Sequence, residues 1–236
     1  MPSNSFTRAS SQYIDANSPV NATSVVTIGA WARLTGTQTT NARWEIMSND
    51  TGFALHFIDV GGVLRLRGTV SDGTFPFVGT SKSISHNVWW LILLIRDASN
   101  GLKMFNAALG AGSVTQDGTT STVGTPTTSS TNLRIGGHPT NATRYMDGRI
   151  FRPFVVWNHE ATSGEMTSLL TQLPEDVFAT RQLELYRADA TTITDLAGNY
   201  TFTNNGSSSD ADVPITEGGG GPVLSVARRS LVLGVS

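Results

Sequence analysis

The chain carries 4 histidines, 18 acidic residues and no cysteine, and these bound its chemistry. Glycoside hydrolysis needs two carboxylates flanking one bond. Glu45, Asp50 and Asp59 are scattered, and Glu175-Asp176 stands beside a predicted helix end, so these acids read as solvated side chains. No enzyme is expected. His56, His86, His138 and His159 show no i, i+4 pair of the kind that ligates zinc from a helix, and they read as strand or loop surface positions. Without cysteine there is no disulfide, thiolate metal site or cysteine nucleophile. A nucleophile elbow is missing. Gly136-Gly137 and Gly218 to Gly221 lack the lysine and following helix of a phosphate loop. Sugar binding asks for exposed aromatic faces among polar neighbours. Trp44, His138, Arg144 and Tyr145 are the candidates for such a patch. Trp31, Trp89, Trp90 and Trp157 lie in apolar stretches and read as core or interface.

Those side chains must be positioned mainly by strands. Val88 to Ile95, VWWLILLI, is too short to span a bilayer and stops at Arg96-Asp97. The turn Asp97-Ala98-Ser99-Asn100-Gly101 leads into Leu102 to Asn106, which predicts a hairpin whose first strand is covered on both faces. Adjacent Trp89 and Trp90 would face opposite ways, leaving open the burial of one by a partner chain. Val26, Ile28, Ala30, Ala32 and Leu34 form one apolar face. Phe53, Leu55 and Phe57 alternate with Ala54, His56 and Ile58, and Asp59 to Gly62 turns the chain into Val63 to Arg67, apolar on one face. Phe75 to Val78 reads as an edge or loop because of Pro76. Leu133 to Ile135, Ile150 to Trp157, Leu183 to Tyr186 and Tyr200 to Thr203 complete the strands. One short helix is predicted near 163–173: Thr162-Ser163-Gly164-Glu165 has the form of a capping box, Met166, Leu169, Leu170 and Leu173 follow at helical spacing, and Pro174 limits it. The fold class is all-β, a jelly-roll β-sandwich of two antiparallel sheets.

The length, 236 residues, suits one large domain, here 1–216, then a Gly-rich linker at 217–222 and an apolar docking tail at 223–236. Gly110 to Thr131 is polar and reads as a long connection or irregular edge. With 14% charged residues and a formal net charge of −2, the basic footprint of a nucleic-acid binder is missing. Neither a membrane span nor a secretory h-region is visible. Sequons at Asn21, Asn49, Asn141, Asn199 and Asn205 read as by-products of a Thr/Ser/Asn-rich chain.

SQYIDANSP, VVTIGAWARL, HNVWWLILLIRDASNGLKMFNAALG, NLRIGGHPTNATRYMDGRIFRPFVVWNHEATSGEM and LYRADATTITDLAGNYTFTNNG occur in the order of the corresponding family stretches. Together they resemble the concanavalin A-like lectin/glucanase superfamily, in its laminin-G-like, pentraxin-like form. The resemblance implies two antiparallel sheets packed face to face and does not fix function, since the fold hosts lectins, glycosidases, adhesion modules and virion proteins. The E-x-D-x-x-E string of glucanase relatives does not occur. Asp15 and Asp147 stand near acidic positions of the family, so the resemblance leaves a calcium site open and no other cofactor. Against it, Asp147-Gly148 also reads as a turn, and Ile150-Phe151-Arg152-Pro153 replaces the usual acidic stretch with a cation.

The leading expectation is a non-enzymatic structural or adhesive virion protein of a tailed bacteriophage, such as a capsid decoration, head-fibre or tail component at the virion surface. Its expected partners are other virion proteins or further copies of itself, as in a trimer, and host surface glycans. No nucleic acid and no membrane are expected. A lectin-like carbohydrate-binding module is the alternative, and a glycosidase the second alternative.

Overall fold

In the computed structural model, the described residues are 2–36, 42–181, 183–188, 193–195 and 200–215. The linker and tail at 217–236 lie outside them. The strands run in chain order as β1 (Ser3–Phe6), β2 (Tyr13–Asp15), β3 (Val26–Leu34), β4 (Arg43–Ser48), β5 (Phe53–Val60) and β6 (Val63–Val70). They continue as β7 (Phe77–Gly79), β8 (Trp90–Arg96), β9 (Gly101–Ala108), β10 (Thr115–Gln116), β11 (Ser121–Thr122) and β12 (Arg134–Ile135). The last are β13 (Gly148–Trp157), β14 (Leu183–Ala188), β15 (Ile193–Asp195), β16 (Thr203–Asn205) and β17 (Ser208–Asp210). One sheet follows the order β10-β9-β8-β3-β13-β1-β17, with β11 also on β9 and β14-β15 attached through β13; the other follows β16-β2-β12-β4-β5-β6-β7. Every pairing is antiparallel. The expected all-β sandwich is therefore the observed architecture.

Side-chain alternation divides the molecule into layers. Val26, Ile28, Ala30, Ala32 and Leu34 of β3 face the other sheet, where Phe53, Leu55, Phe57, Leu64 and Leu66 meet them in one core. The second face of the larger sheet is also apolar: Trp31, Leu91, Leu93 and Phe154 pack under Met166, Leu169, Leu170, Leu173 and Phe178. This cover explains the unbroken apolar run of β8, every residue of which is buried. Trp90 enters the inter-sheet core and Trp89 the helix-covered layer. The fold itself buries both tryptophans, so no partner chain is needed for either.

The helical cover differs in detail from the expectation of one helix near 163–173. Helix α1 (Ser163–Ser168) starts at the predicted capping box, with Thr162 Oγ1 accepting from the Glu165 amide and the Glu165 carboxylate accepting from the Thr162 amide. It ends at Ser168, and Pro174 opens a second helix, α2 (Pro174–Val177). Proline suits a first helical position because no partner exists there for an N–H. The last strand expected, Tyr200–Thr203, is displaced to Thr203–Asn205, and a further strand, β17, follows it. Within the polar Gly110–Thr131 connection, β10 and β11 return to β9 as an edge.

The last described segment is fixed by charge. Asp212 pairs with Arg33, lies 3.7 Å from Arg149, and accepts from Trp89 Nε1 at 3.2 Å. Asp210 receives Arg149 at 2.8 Å. These groups are partly exposed, so each pair contributes modestly. Asp212→Ala is expected to lower unfolding stability by about 1 kcal/mol, read from the urea midpoint at constant slope.

Candidate functional site

The outward face of the smaller sheet carries a different set of residues. On β4 the inward side chains are Trp44 and Ile46, which turns Arg43 and Glu45 outward; a bulge after Glu45 then returns Met47 to the core. On β5, His56 alternates with inward Leu55 and Phe57, and on β6, Arg65, Arg67 and Thr69 alternate with Leu64 and Leu66. The register aligns them: Glu45 opposes His56, and His56 opposes Arg67. The next row sets Ala54 against Thr69 and Thr69 against Phe77.

This face forms a cleft of about 540 Å³. Its floor is Glu45, Ala54, His56 and Thr69; Asp50, His138, Thr140, Asn141 and Arg144 make one wall, and Phe75 and Phe77 the other. Phe75 and Phe77 are 50% and 51% exposed, the largest apolar rings open to solvent among the described residues. Phe75 has a left-handed backbone, φ 58°, a sterically unfavourable choice for a bulky residue. The Arg67 guanidinium lies 4.1 Å from the Phe77 ring centre, within cation–π range.

Beneath the open cleft the polar groups are dry. Glu45 and His56 are buried, with Nδ1 of His56 3.5 Å from Oε2 of Glu45, and neither makes a hydrogen bond among the described residues. Burial pushes the Glu45 carboxyl up to about 8, against the opposing pull of Arg144 and Arg43. Burial, with Arg43, Arg67, Arg144 and His138 adding to it, holds the His56 imidazole well below its ordinary value. Burial and Arg144 lower His138 to about 4, although Asp50 lies 3.7 Å from its Nε2. At neutral pH both imidazoles are therefore uncharged and Glu45 is mostly protonated.

The expected aromatic patch is redistributed. His138 and Arg144 do line the cleft. Trp44 does not: it opposes Phe57 and is fully buried in the core, with the Arg8 guanidinium 5.5 Å from its ring centre. Tyr145 is buried too, stacked on Tyr13 with ring centres 6.1 Å apart. Neither offers the exposed ring that the sequence suggested. The acids differ as well, since Glu45 and Asp59 are buried rather than solvated. His56, His138 and His159 are likewise buried, not surface groups. Sequence reasoning passed over Arg43, Arg67, Phe75 and Phe77. The signal for Arg67 and His56 was present in the alternation of β5 and β6; nothing local marked the two phenyl rings.

Calcium does not fit at Asp15. Its carboxylate receives Arg134 Nε at 3.2 Å, Asn132 Nδ2 at 2.9 Å and the Asn17 amide at 2.8 Å. Asp147 sits at the entry to β13, its carbonyl accepting from the Thr35 and Gly36 amides. No group of three His, Asp or Glu side chains suited to a metal ion exists among the described residues. Arg152 belongs to a bulge in β13 and reaches Glu175 of α2 at 3.1 Å, on the helix-covered side of the larger sheet.

Residues 8–166 match the Laminin_G_3 family of the concanavalin A-like lectin/glucanases superfamily. The chain belongs to this family. The two-sheet architecture agrees with it, and so does a candidate carbohydrate binding protein from Bacteroides ovatus: TM-score 0.63, 19% identity, 91% of this chain covered. This laminin-G-like chain spans 61% of the length of that protein. The heptameric SAP-like pentraxin of Limulus polyphemus gives a TM-score of 0.55 at 13% identity, covering 85% of this chain and 89% of the pentraxin. Both likenesses show the fold alone. A tailspike protein 2 of an Escherichia coli bacteriophage gives 0.46 at 12% identity over 68% of this chain and 25% of the tailspike, below the level that carries argument. No curated protein matches the chain. Among the described residues no helix is long and apolar enough to cross a membrane.

Proposed function

We propose that this laminin-G-like domain is a non-enzymatic glycan-binding module, and that the cleft on its smaller sheet is the saccharide site. The observation that carries the reading is the pair of exposed rings, Phe75 and Phe77, facing a wall of Asp50, Thr140, Asn141 and Arg144. Rings supply flat apolar area for the C–H face of a sugar; the opposite wall supplies donors and acceptors for its hydroxyls. The cleft is shallow and open, so a single site binds weakly. In the adhesive virion setting expected from the sequence, many copies would multiply that affinity. The heptameric state of the Limulus pentraxin is a precedent for such display on this fold.

A glycan array followed by calorimetry tests the reading. Binding is expected to weaken about tenfold in Phe77→Ala, roughly 1.4 kcal/mol, with unfolding stability little changed because the ring is already half in water. An array without a single bound glycan would overturn it.

One observation favours a second reading, glycoside hydrolysis. Glu45, raised to about 8, has the protonation of a general acid, and Asp50 lines the same cleft. Its two oxygens, however, have no exposed surface, so no glycosidic oxygen reaches them. Release of reducing ends from a bound glycan, lost in Glu45→Gln, would replace the binding module with an enzyme.

A further inference from the structure

Most arginines that pack against the two sheets have a partner. Arg33, Arg134, Arg149 and Arg152 each have a carboxylate within 4 Å. Arg65 and Arg96 donate to backbone carbonyls. Arg43, Arg67 and Arg144 do neither: among the described residues their guanidinium groups have no hydrogen bond and no ion pair, and all three converge on the cleft. They also repel one another. Arg144 depresses Arg43, and Arg43 depresses Arg67, each in addition to the effect of partial burial. Folding has gathered like charges with no carboxylate at ion-pair distance among the described residues, a cost in stability that a bound anion would offset.

From this convergence we infer that the cleft selects acidic saccharides, whose carboxylate or sulfate groups bridge Arg43, Arg67 and Arg144. The inference rests on the glycan-binding reading and names the ligand class for that site. Guanidinium groups grip either anion through two parallel N–H donors, a geometry that a neutral hydroxyl cannot match. Within the cleft the countercharge is small. Asp50, partly exposed, is the one charged carboxylate among the described residues that line it, while the protonated Glu45 and the neutral His56 contribute none. Phe77, with Arg67 stacked on it, would hold the sugar ring while the guanidinium edge stays free for the acid.

The experiment uses the full chain and paired probes: oligogalacturonate against its methyl ester, and an oligosaccharide of carrageenan against its desulfated form. Calorimetry is expected to show at least tenfold tighter binding of one acidic member than of its neutral partner. That preference should shrink as salt rises from 50 to 500 mM. Which pair shows it separates carboxylate from sulfate. Arg144→Gln should lose more affinity for the acidic member than for its neutral partner, so that the preference shrinks, and a thermal melt reports that the variant is folded. Equal binding of acidic and neutral members would overturn this inference and leave the glycan-binding reading standing. Absence of binding by all four would overturn this inference, and the glycan array then decides the glycan-binding reading separately. Equal retention of a single-stranded oligodeoxynucleotide would show charge without sugar recognition, and would overturn the inference too.

Discussion

Replacing Arg96 with alanine is expected to cost the fold about 3–5 kcal/mol. Arg96 ends β8 and is 2% exposed, yet among the described residues no carboxylate is hydrogen-bonded to it. Its guanidinium instead gathers three separate parts of the chain. It donates to the Ser24 carbonyl ahead of β3, to Asn100 Oδ1 in the hairpin turn at 2.6 Å, and to the Val123 and Gly124 carbonyls at 3.1 and 2.7 Å. Alanine would leave the buried Val123 carbonyl without this donor and a void at the end of the hairpin, two costs that add, while the Ser24 and Gly124 carbonyls, on exposed residues, can turn to water. Val123, itself fully buried in the inter-sheet core, would lose the anchor that holds the polar connection against β9. Lysine carries charge but no planar fork, so Arg96→Lys should recover less than half of the loss. Urea unfolding of the three proteins decides the matter. A loss below about 1 kcal/mol for alanine would mean that the surrounding carbonyls find water, and that the guanidinium is not the anchor.

Much of this architecture was readable residue by residue. Period-two alternation in Val26 to Leu34 and Phe53 to Arg67 identified the inward face of both sheets, because a strand buried on one side has no other way to arrange its side chains. The capping box at Thr162 identified the start of α1 to the residue, since it is a local hydrogen-bond pattern. What alternation could not supply was the parity of a short strand whose neighbours were unknown. Trp44 sits among Asn41, Ala42, Arg43 and Glu45 and looks like an exposed aromatic; only its pairing with Phe57 turns it inward. The same parity turns Glu45 outward, onto the floor of the cleft and within reach of the Arg144 charge. Burial of an outward residue depends on what folds over the sheet, and that is a property of tertiary packing. Phe75 and Phe77 were hidden for the opposite reason. An aromatic pair next to Pro76 suggests a weak edge strand, and no local rule says that its rings stay uncovered.

Glu45 makes the second large prediction, because its proton is linked to folding. Its carboxyl is ordinary in the unfolded chain, near 4.5, and raised to about 8 in the folded one. Between those values the folded protein holds a proton that the unfolded chain has released, so stability falls as pH rises. His56 and His138 act in the other direction. Their folded values are lowered, so the stability they contribute is present above about 6.5 and is lost as pH falls below it. Below 6.5 the two effects therefore oppose each other, and above 6.5 Glu45 acts without them. From pH 6.5 to 8 the wild type should lose stability at up to about 1.4 kcal/mol per pH unit, about 2 kcal/mol over the window. The groups facing the carboxyl set the limit of the effect: Arg43 and Arg144 favour its ionisation, whereas burial opposes it more strongly. Glu45→Gln keeps the shape without the proton, so its stability should stay level from 6.5 to 8 and exceed that of the wild type at pH 8. The cleft should respond in step. As Glu45 ionises beneath Arg43, Arg67 and Arg144, part of their charge is cancelled, and an acidic saccharide should bind the wild type more weakly above pH 8 while its affinity for the glutamine variant stays constant. Parallel stability profiles for the two proteins would show that water reaches Glu45, and the dry floor on which the protonation of this cleft depends would then be wrong.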